Sequence, residues 1–277
     1  MIGSVARGSN KALSAIGLGC GQIGSFNSPL SRSDIQSLFA AAFDLGVSVF
    51  DTSDVYGQGD SERELGRFLA GHRRGAAFVV TKGGKLFSRK MRLLRPFKPL
   101  LKPLLTRGGA KVIAARRGGE VSEDFSSAHI IRAVEGSLRR LRADTLDGYL
   151  LHSPSTSTVS DPAIWETIIR LRDSGKIAAF GISCDARDVV DAALRVPELS
   201  LLELPYDVLA AIENSDTARE IARRQITVLA REVMRCQPAV EPREAIRNAT
   251  SIRLVSTVIV GTSNIRNLRS AISAVTT

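Results

Sequence analysis

Residues 49–66 read VFDTSDVYGQGDSERELG and hold one complete strand-then-helix unit. Val49 and Phe50 are apolar and β-compatible, and the run stops at Asp51. A polar stretch with Gly57 and Gly59 follows, carrying Tyr56. Ser61 to Glu64 has the form of a capping box, and Leu65, Phe68 and Leu69 then fall on one helical face. The unit predicts a strand closing at Asp51, a loop with Tyr56, and a helix opening at Ser61.

The same alternation continues outward. IGLG at 16–19 reads as a short strand. Ser33 to Gln36 has a capping-box form, with Ser33 as N-cap, and Ile35, Leu38, Phe39, Ala42 and Phe43 repeat behind it until Gly46 stops the helix. FVVTK at 78–82 has the continuous apolar character of a parallel strand. A helix over about 127–141 aligns Ile130, Ile131, Val134, Leu138 and Leu141. LDGYLLH, a helix from Pro162 to Ser174, IAAFGIS, SLLELP, ITVLA and STVIVG complete the series. Strands alternating with helices predict a parallel sheet, and eight such units predict a closed (β/α)8 TIM barrel. The alternative is an open doubly wound sheet. It would need a glycine fingerprint running into a helix, and GLGCGQIG, with Gly17, Gly19, Gly21 and Gly24, is followed by loop-like sequence containing Pro29.

The chain has 277 residues, 44% of them hydrophobic, which suits one folded barrel domain. Its formal charge of +10 is unevenly placed. Eleven Lys or Arg lie between Lys85 and Arg117, and no Asp or Glu occurs between Glu64 and Glu120, so the rest of the chain carries about −1. The basicity belongs to an insertion at about 85–117, interrupted by Pro96, Pro99 and Pro103. Three readings of it compete: a lid for an anionic or carrier-bound substrate, a contact for an acidic partner or membrane, and a structural elaboration. It carries no nucleic-acid-binding motif. Cys20, Cys184 and Cys236 show neither disulfide nor metal spacing, and the first residues lack a secretory pattern, so a cytoplasmic location and no metal are expected.

Asp51, Tyr56, Lys82 and His152 lie at or just past the ends of successive predicted strands. In a barrel that end carries the chemistry. Each alone has an ordinary reading: Asp51 and Lys82 as a buried ion pair, Tyr56 and His152 as packing. Together they are an acid, a phenol, an amine and an imidazole, the parts needed to protonate a carbonyl oxygen while hydride reaches its carbon.

From GLGCGQIG to VIVGTSNIRNL the chain resembles the aldo-keto reductase superfamily, most specifically in DTSDVYG and SERELG. The resemblance implies a barrel oxidoreductase that moves a hydride between NADP, or NAD as the alternative, and a small carbonyl or alcohol. It makes Tyr56 the general acid or base, Lys82 the group that lowers its pKa, Asp51 the partner of Lys82, and His152 the group that orients the substrate. For the cofactor it implies Gly21, Ser183, Cys184, Glu203 and Arg231, with Gly261, Thr262, Ser263, Asn264 and Asn267 at the phosphate end. Several of these depart from the family pattern. Gly261 and Asn267 stand where NADPH-preferring members carry Lys and Arg, with Arg266 and Arg269 nearby. Cys184 replaces an Asn, Glu203 a Gln, and Arg231 an aromatic residue. These departures keep two other readings open: a catalytically altered barrel that senses redox state or binds a ligand, and a lyase reusing the Tyr56–Lys82 pair.

Overall fold

The computed structural model describes residues 9–25, 28, 30–70, 73–87 and 121–276. Eight parallel strands close into a barrel: β1 (Ile16–Gly19), β2 (Val49–Asp51), β3 (Phe78–Gly83), β4 (Leu146–His152), β5 (Ile177–Ser183), β6 (Leu201–Pro205), β7 (Thr227–Arg231) and β8 (Val255–Gly261). They follow one another around the ring, and β1 pairs with β8, with Gly19 opposite Gly261, to close it. The open-sheet alternative is thereby excluded. Helices α1 (Arg32–Asp44), α2 (Asp60–Leu69), α3 (Ser127–Leu141), α4 (Pro162–Asp173), α5 (Arg187–Ala193), α6 (Asp216–Arg223) and α7 (Pro242–Ser251) lie between strands and α8 (Ile265–Thr276) follows β8, with short helices added at Arg73–Ala76, Thr156–Val159 and Tyr206–Ile212. Lys85–Phe87 pairs antiparallel with Val121–Glu123 at the base of the basic insertion; the rest of that insertion lies outside the described residues. Among the described residues, no helix is long and apolar enough to cross a membrane.

Both predicted capping boxes shift. The N-cap of α1 is Ser31, whose hydroxyl accepts from the Asp34 N–H while Asp34 reaches back, so Ser33 lies inside the helix. Gln36 instead donates to the Glu64 carbonyl at 3.1 Å. Helix α2 starts at Asp60 from Gly59, which has φ +81. Ser61 is turned inward, where it contacts the Thr52 hydroxyl at 2.8 Å and donates to the Cys20 carbonyl at 3.1 Å. Local pattern cannot distinguish a capping hydroxyl from one recruited by a neighbouring loop.

Side chains of a strand alternate between faces, and this places the site. Val49, Phe78, Val80, Leu150, Leu201, Leu229 and Ile259 form one buried cluster with Leu13, inside the barrel. The opposite parity, such as Phe50, Val79, Leu151, Phe180, Leu202, Val228 and Val260, packs with the helices. Two residues beyond the interior set stand Asp51, Lys82, His152, Glu203, Arg231 and Gly261, which the pleat therefore directs to the C-terminal mouth. Glycines make the room inside. A Cβ on Gly181 would come within 1.5 Å of the Leu201 carbonyl oxygen on the paired strand. Backbone cannot yield there as a side chain can. Gly181→Ala is expected to destabilise by about 3 kcal/mol or more, seen as a fall in the thermal unfolding midpoint.

Candidate active site

The mouth is organised around one buried ammonium. Lys82, 1% exposed at the end of β3, contacts Asp51 Oδ1 from β2 and donates to the Thr52 carbonyl at 3.3 Å. Its Nζ also lies 3.2 Å from Glu203 Oε2 of β6 and 5.2 Å from the centre of the Tyr56 ring. His152, closing β4, meets Tyr56 edge to face, with ring centroids 5.9 Å apart and planes at 89°. The four residues from successive strand ends thus share one site, and Glu203 joins them from across the ring.

Tyr56 is presented by a tight turn rather than by the strand. Gly57, Gln58 and Gly59 are all left-handed, with φ of 58, 60 and 81. A Cβ on Gly57 would meet the carbonyl of Gly24 at 2.7 Å, so the first glycine stretch serves the packing of two loops. Gly21 lies against the Tyr56 ring, its hypothetical Cβ 3.8 Å from Cε2 and Cζ.

Burial dominates the electrostatics. The Tyr56 phenol is pushed up to about 12, by burial first; Lys82 pulls it down, and Asp51 and Glu203 push it up. The expected acid-strengthening effect of Lys82 is therefore present but outweighed, first by burial and then by the two carboxylates that face the same ammonium. Asp51 is raised to about 8, by burial and then by Glu203, against the pull of Lys82. Lys82 is held above its ordinary value: burial lowers it, and Asp51, Glu203 and Tyr56 more than offset that. His152 is lowered to about 3 by burial and then by Lys82, so it is a neutral imidazole at physiological pH.

The local sequence carries no signal for the role of Ser53. Its hydroxyl lies 3.2 Å from His152 Nδ1 and 3.2 Å from the Lys82 carbonyl, fixing the imidazole to the β3 backbone. Nor did it reveal Glu62 as an anchor: fully buried, it accepts from Thr81 at 2.7 Å and pairs with Arg140 of α3. Only tertiary packing makes either visible.

Ser183 closes β5 and donates to Glu203 Oε1 at 3.1 Å. Cys184 is buried, its thiol directed to the Ala186 carbonyl at 3.7 Å and raised to about 12 by burial. Arg231 closes β7, donates to the Cys184 carbonyl at 3.1 Å, pairs with Asp185, and lies 3.0 Å from Glu232 and 3.5 Å from Glu203. Glu203 Oε2 and Arg231 Nε keep unused hydrogen-bonding capacity despite these ionic contacts.

Gly261 ends β8, Thr262, Ser263 and Asn264 form the link to α8, and Asn267 lies in the first turn of α8. Gly261 is exposed, and a Cβ there would meet nothing within 4 Å. Asn264 is the N-cap of α8, accepting from the Arg266 N–H at 2.8 Å, and Thr262 Oγ1 accepts from the Asn264 N–H at 3.0 Å. Asn267 is exposed.

A polar recess of about 520 Å³ adjoins the site, with Asp54, Lys85, Arg132 and Arg140 in its wall. A larger one, about 1140 Å³, opens at the opposite barrel end around Leu13, Ile16 and Val255, remote from these groups.

Residues 15–237 match the profile of the Aldo/keto reductase family. The chain belongs to this family. It is 31% identical over 196 residues to D-threo-aldose 1-dehydrogenase of a Pseudomonas species, covering 69% of this chain and 56% of that protein. It is 29% identical over 219 residues to pyridoxal 4-dehydrogenase of Microbacterium luteolum, covering 74% and 62%. The match thus spans less than two thirds of either relative. Among solved folds, the glycerol dehydrogenase of Gluconobacter oxydans superposes with a TM-score of 0.74 at 22% identity, over 98% of this chain and 89% of that one. An aldo-keto reductase from Klebsiella pneumoniae in complex with NADPH gives 0.68 at 22%, over 100% and 91%.

Proposed function

We propose that this aldo-keto reductase is an NAD(P)-dependent oxidoreductase that interconverts a small carbonyl compound and its alcohol. The carrying observation is the convergence of Asp51, Tyr56, Lys82 and His152 at the barrel mouth, with the Lys82 ammonium 5.2 Å from the phenol ring and His152 edge-on to it. Tyr56 gives its proton to the carbonyl oxygen in reduction and takes it back from the alcohol in oxidation. Lys82 stabilises the phenolate so formed, and Asp51 holds Lys82. Neutral His152, tethered by Ser53, hydrogen-bonds the substrate oxygen and sets its approach.

The nucleotide reading fits the chain at both ends. Glu203 Oε2 retains unused acceptor capacity where a carboxamide NH2 is expected. At the other end, exposed Gly261 leaves space before the N-terminus of α8, a place where backbone N–H groups and the helix dipole favour phosphate. Thr262, Ser263, Asn264 and Asn267 are the contacts there, with Ser183, Cys184, Arg231 and Gly21 nearer the ring. When bound, the nicotinamide supplies or accepts the hydride. NADP is the favoured nucleotide, since Arg266 follows the phosphate end directly. The relatives named as dehydrogenases and the structure in complex with NADPH support this reading.

The adjoining recess mixes Lys85, Arg132 and Arg140 with Asp54 and Asp124, and its cations would meet an anionic group on the substrate. We place the protein in the cytoplasm, acting on a free small molecule as one barrel domain. Titration with NADPH and NADH, then assay of aldehydes, ketones and sugars with each, tests the proposal. Binding and cofactor oxidation with at least one carbonyl are expected. No binding at millimolar nucleotide favours the ligand-binding barrel instead, and product without net cofactor oxidation favours the lyase.

A further inference from the structure

Lys82 has one counter-ion more than an ammonium needs. Asp51 contacts it from β2, and Glu203 Oε2 stands 3.2 Å away from β6, three strands further round the ring. Both carboxylates are out of water, at 5% and 1% exposure. Glu203 is also fixed at its other oxygen, where Ser183 donates at 3.1 Å. Arg231 lies 3.5 Å off but is divided among Glu203, Asp185 and Glu232, so it neutralises Glu203 incompletely. His152 is neutral and adds no charge at physiological pH. A glutamine at 203 would fill the same volume and keep a hydrogen bond to Ser183. The carboxylate therefore changes the charge of the mouth more than its shape.

That charge acts on whatever occupies the mouth. If the nicotinamide site proposed above is correct, the occupant differs by one positive charge between its two redox states: the oxidised ring is cationic and the reduced ring neutral. We propose that Glu203, as second counter-ion of Lys82, makes this site hold the oxidised nucleotide more tightly than the reduced one. Burial and then Glu203 raise Asp51 to about 8, so at neutral pH the Asp51 carboxyl holds a proton. Above about pH 8 Asp51 too is ionised and the negative excess beside Lys82 is complete. The preference for the oxidised nucleotide grows with pH across that range.

Calorimetric titration of NADP⁺ and NADPH into the full chain at pH 6.5 and pH 9 tests this, with Glu203→Gln and Glu203→Asp beside the wild type. The ratio of the two dissociation constants at pH 9 is expected to move about tenfold toward NADPH in Glu203→Gln, as one unit charge at ε of about 20 allows. Glu203→Asp keeps the charge and retains most of the wild-type ratio. An unchanged ratio in Glu203→Gln, or equal loss in both variants, overturns the inference. If Glu203→Gln fails to fold, the wild type decides alone: a ratio that does not vary between pH 6.5 and pH 9 overturns it. Failure of the oxidoreductase reading looks different, since neither nucleotide then binds the wild type, and this inference falls with it. A wild type that binds both, with a ratio indifferent to residue 203, removes this inference and leaves the reading standing.

Discussion

Replacing Tyr56 by Phe lowers turnover in both directions by about 10²–10⁴-fold, the range for losing a positioned general acid or base. The ring remains, so its contacts with Gly21 and His152 survive and the mouth keeps its shape. Affinity for NADPH, followed by its fluorescence, stays within about twofold, since the hydroxyl is assigned to the transition state and not to nucleotide binding. Turnover equal to wild type would remove Tyr56 from the chemistry. The same residue fixes the pH dependence. Reduction needs the protonated phenol, and a group pushed up to about 12 stays protonated throughout the neutral range, so reduction does not decline there through Tyr56. Oxidation needs the phenolate, and its rate rises with pH toward that value. An oxidation rate that falls between pH 7 and pH 9 in stable protein would contradict this.

Lys82→Met is the second large effect, and it strikes stability as well as activity. The substitution leaves Asp51 and Glu203 buried with no ammonium between them. Removing one partner of a buried ion pair costs about 3–5 kcal/mol. For a chain of this size that lowers the melting temperature by roughly 10 °C. The sign with pH follows from Asp51. Its folded pKa, about 8, lies above the ordinary carboxylate value, so the folded state binds the proton more tightly than the unfolded state does. Stability from protonated Asp51 is present at low pH and is lost as pH rises from about 4 to about 8. Without the pull of Lys82 the folded state keeps its proton, and that loss continues, to higher pH, so the variant's deficit is larger at pH 8 than at pH 5. Thermal melts at the two pH values check it; an equal deficit would mean that Lys82 does not neutralise these carboxylates.

Much of the fold was legible because strands and helices announce themselves locally. The predicted strands LDGYLLH and IAAFGIS coincide with β4 and β5, and the predicted helix over 127–141 coincides with α3. Helix starts were less legible. Ser33 and Ser61 satisfy the capping pattern as well as Ser31 does, and which hydroxyl caps depends on where the preceding loop is tied. Gly57 against Gly24 supplies that tie for α2, over more than thirty residues of chain. The site residues split the same way. Asp51, Lys82 and His152 could be placed by counting to strand ends, while the roles of Ser53 and Glu62 rest on contacts from β4 and α3.

From the residues alone came the alternation, the barrel, and an acid, a phenol, an amine and an imidazole at the ends of neighbouring units. Apolar periodicity and strand ends are properties of short stretches, so a short stretch can report them. Closure of the ring decided the rest. It set Glu203 against Lys82, with about 120 residues of chain between them, and brought Asp185 and Glu203 to Arg231 beside its neighbour Glu232. It also withdrew the cluster from water, so that burial outweighs Lys82 and holds Tyr56 high. Desolvation and cross-ring charge are sums over everything that surrounds a group, and those surroundings exist only once the barrel has closed.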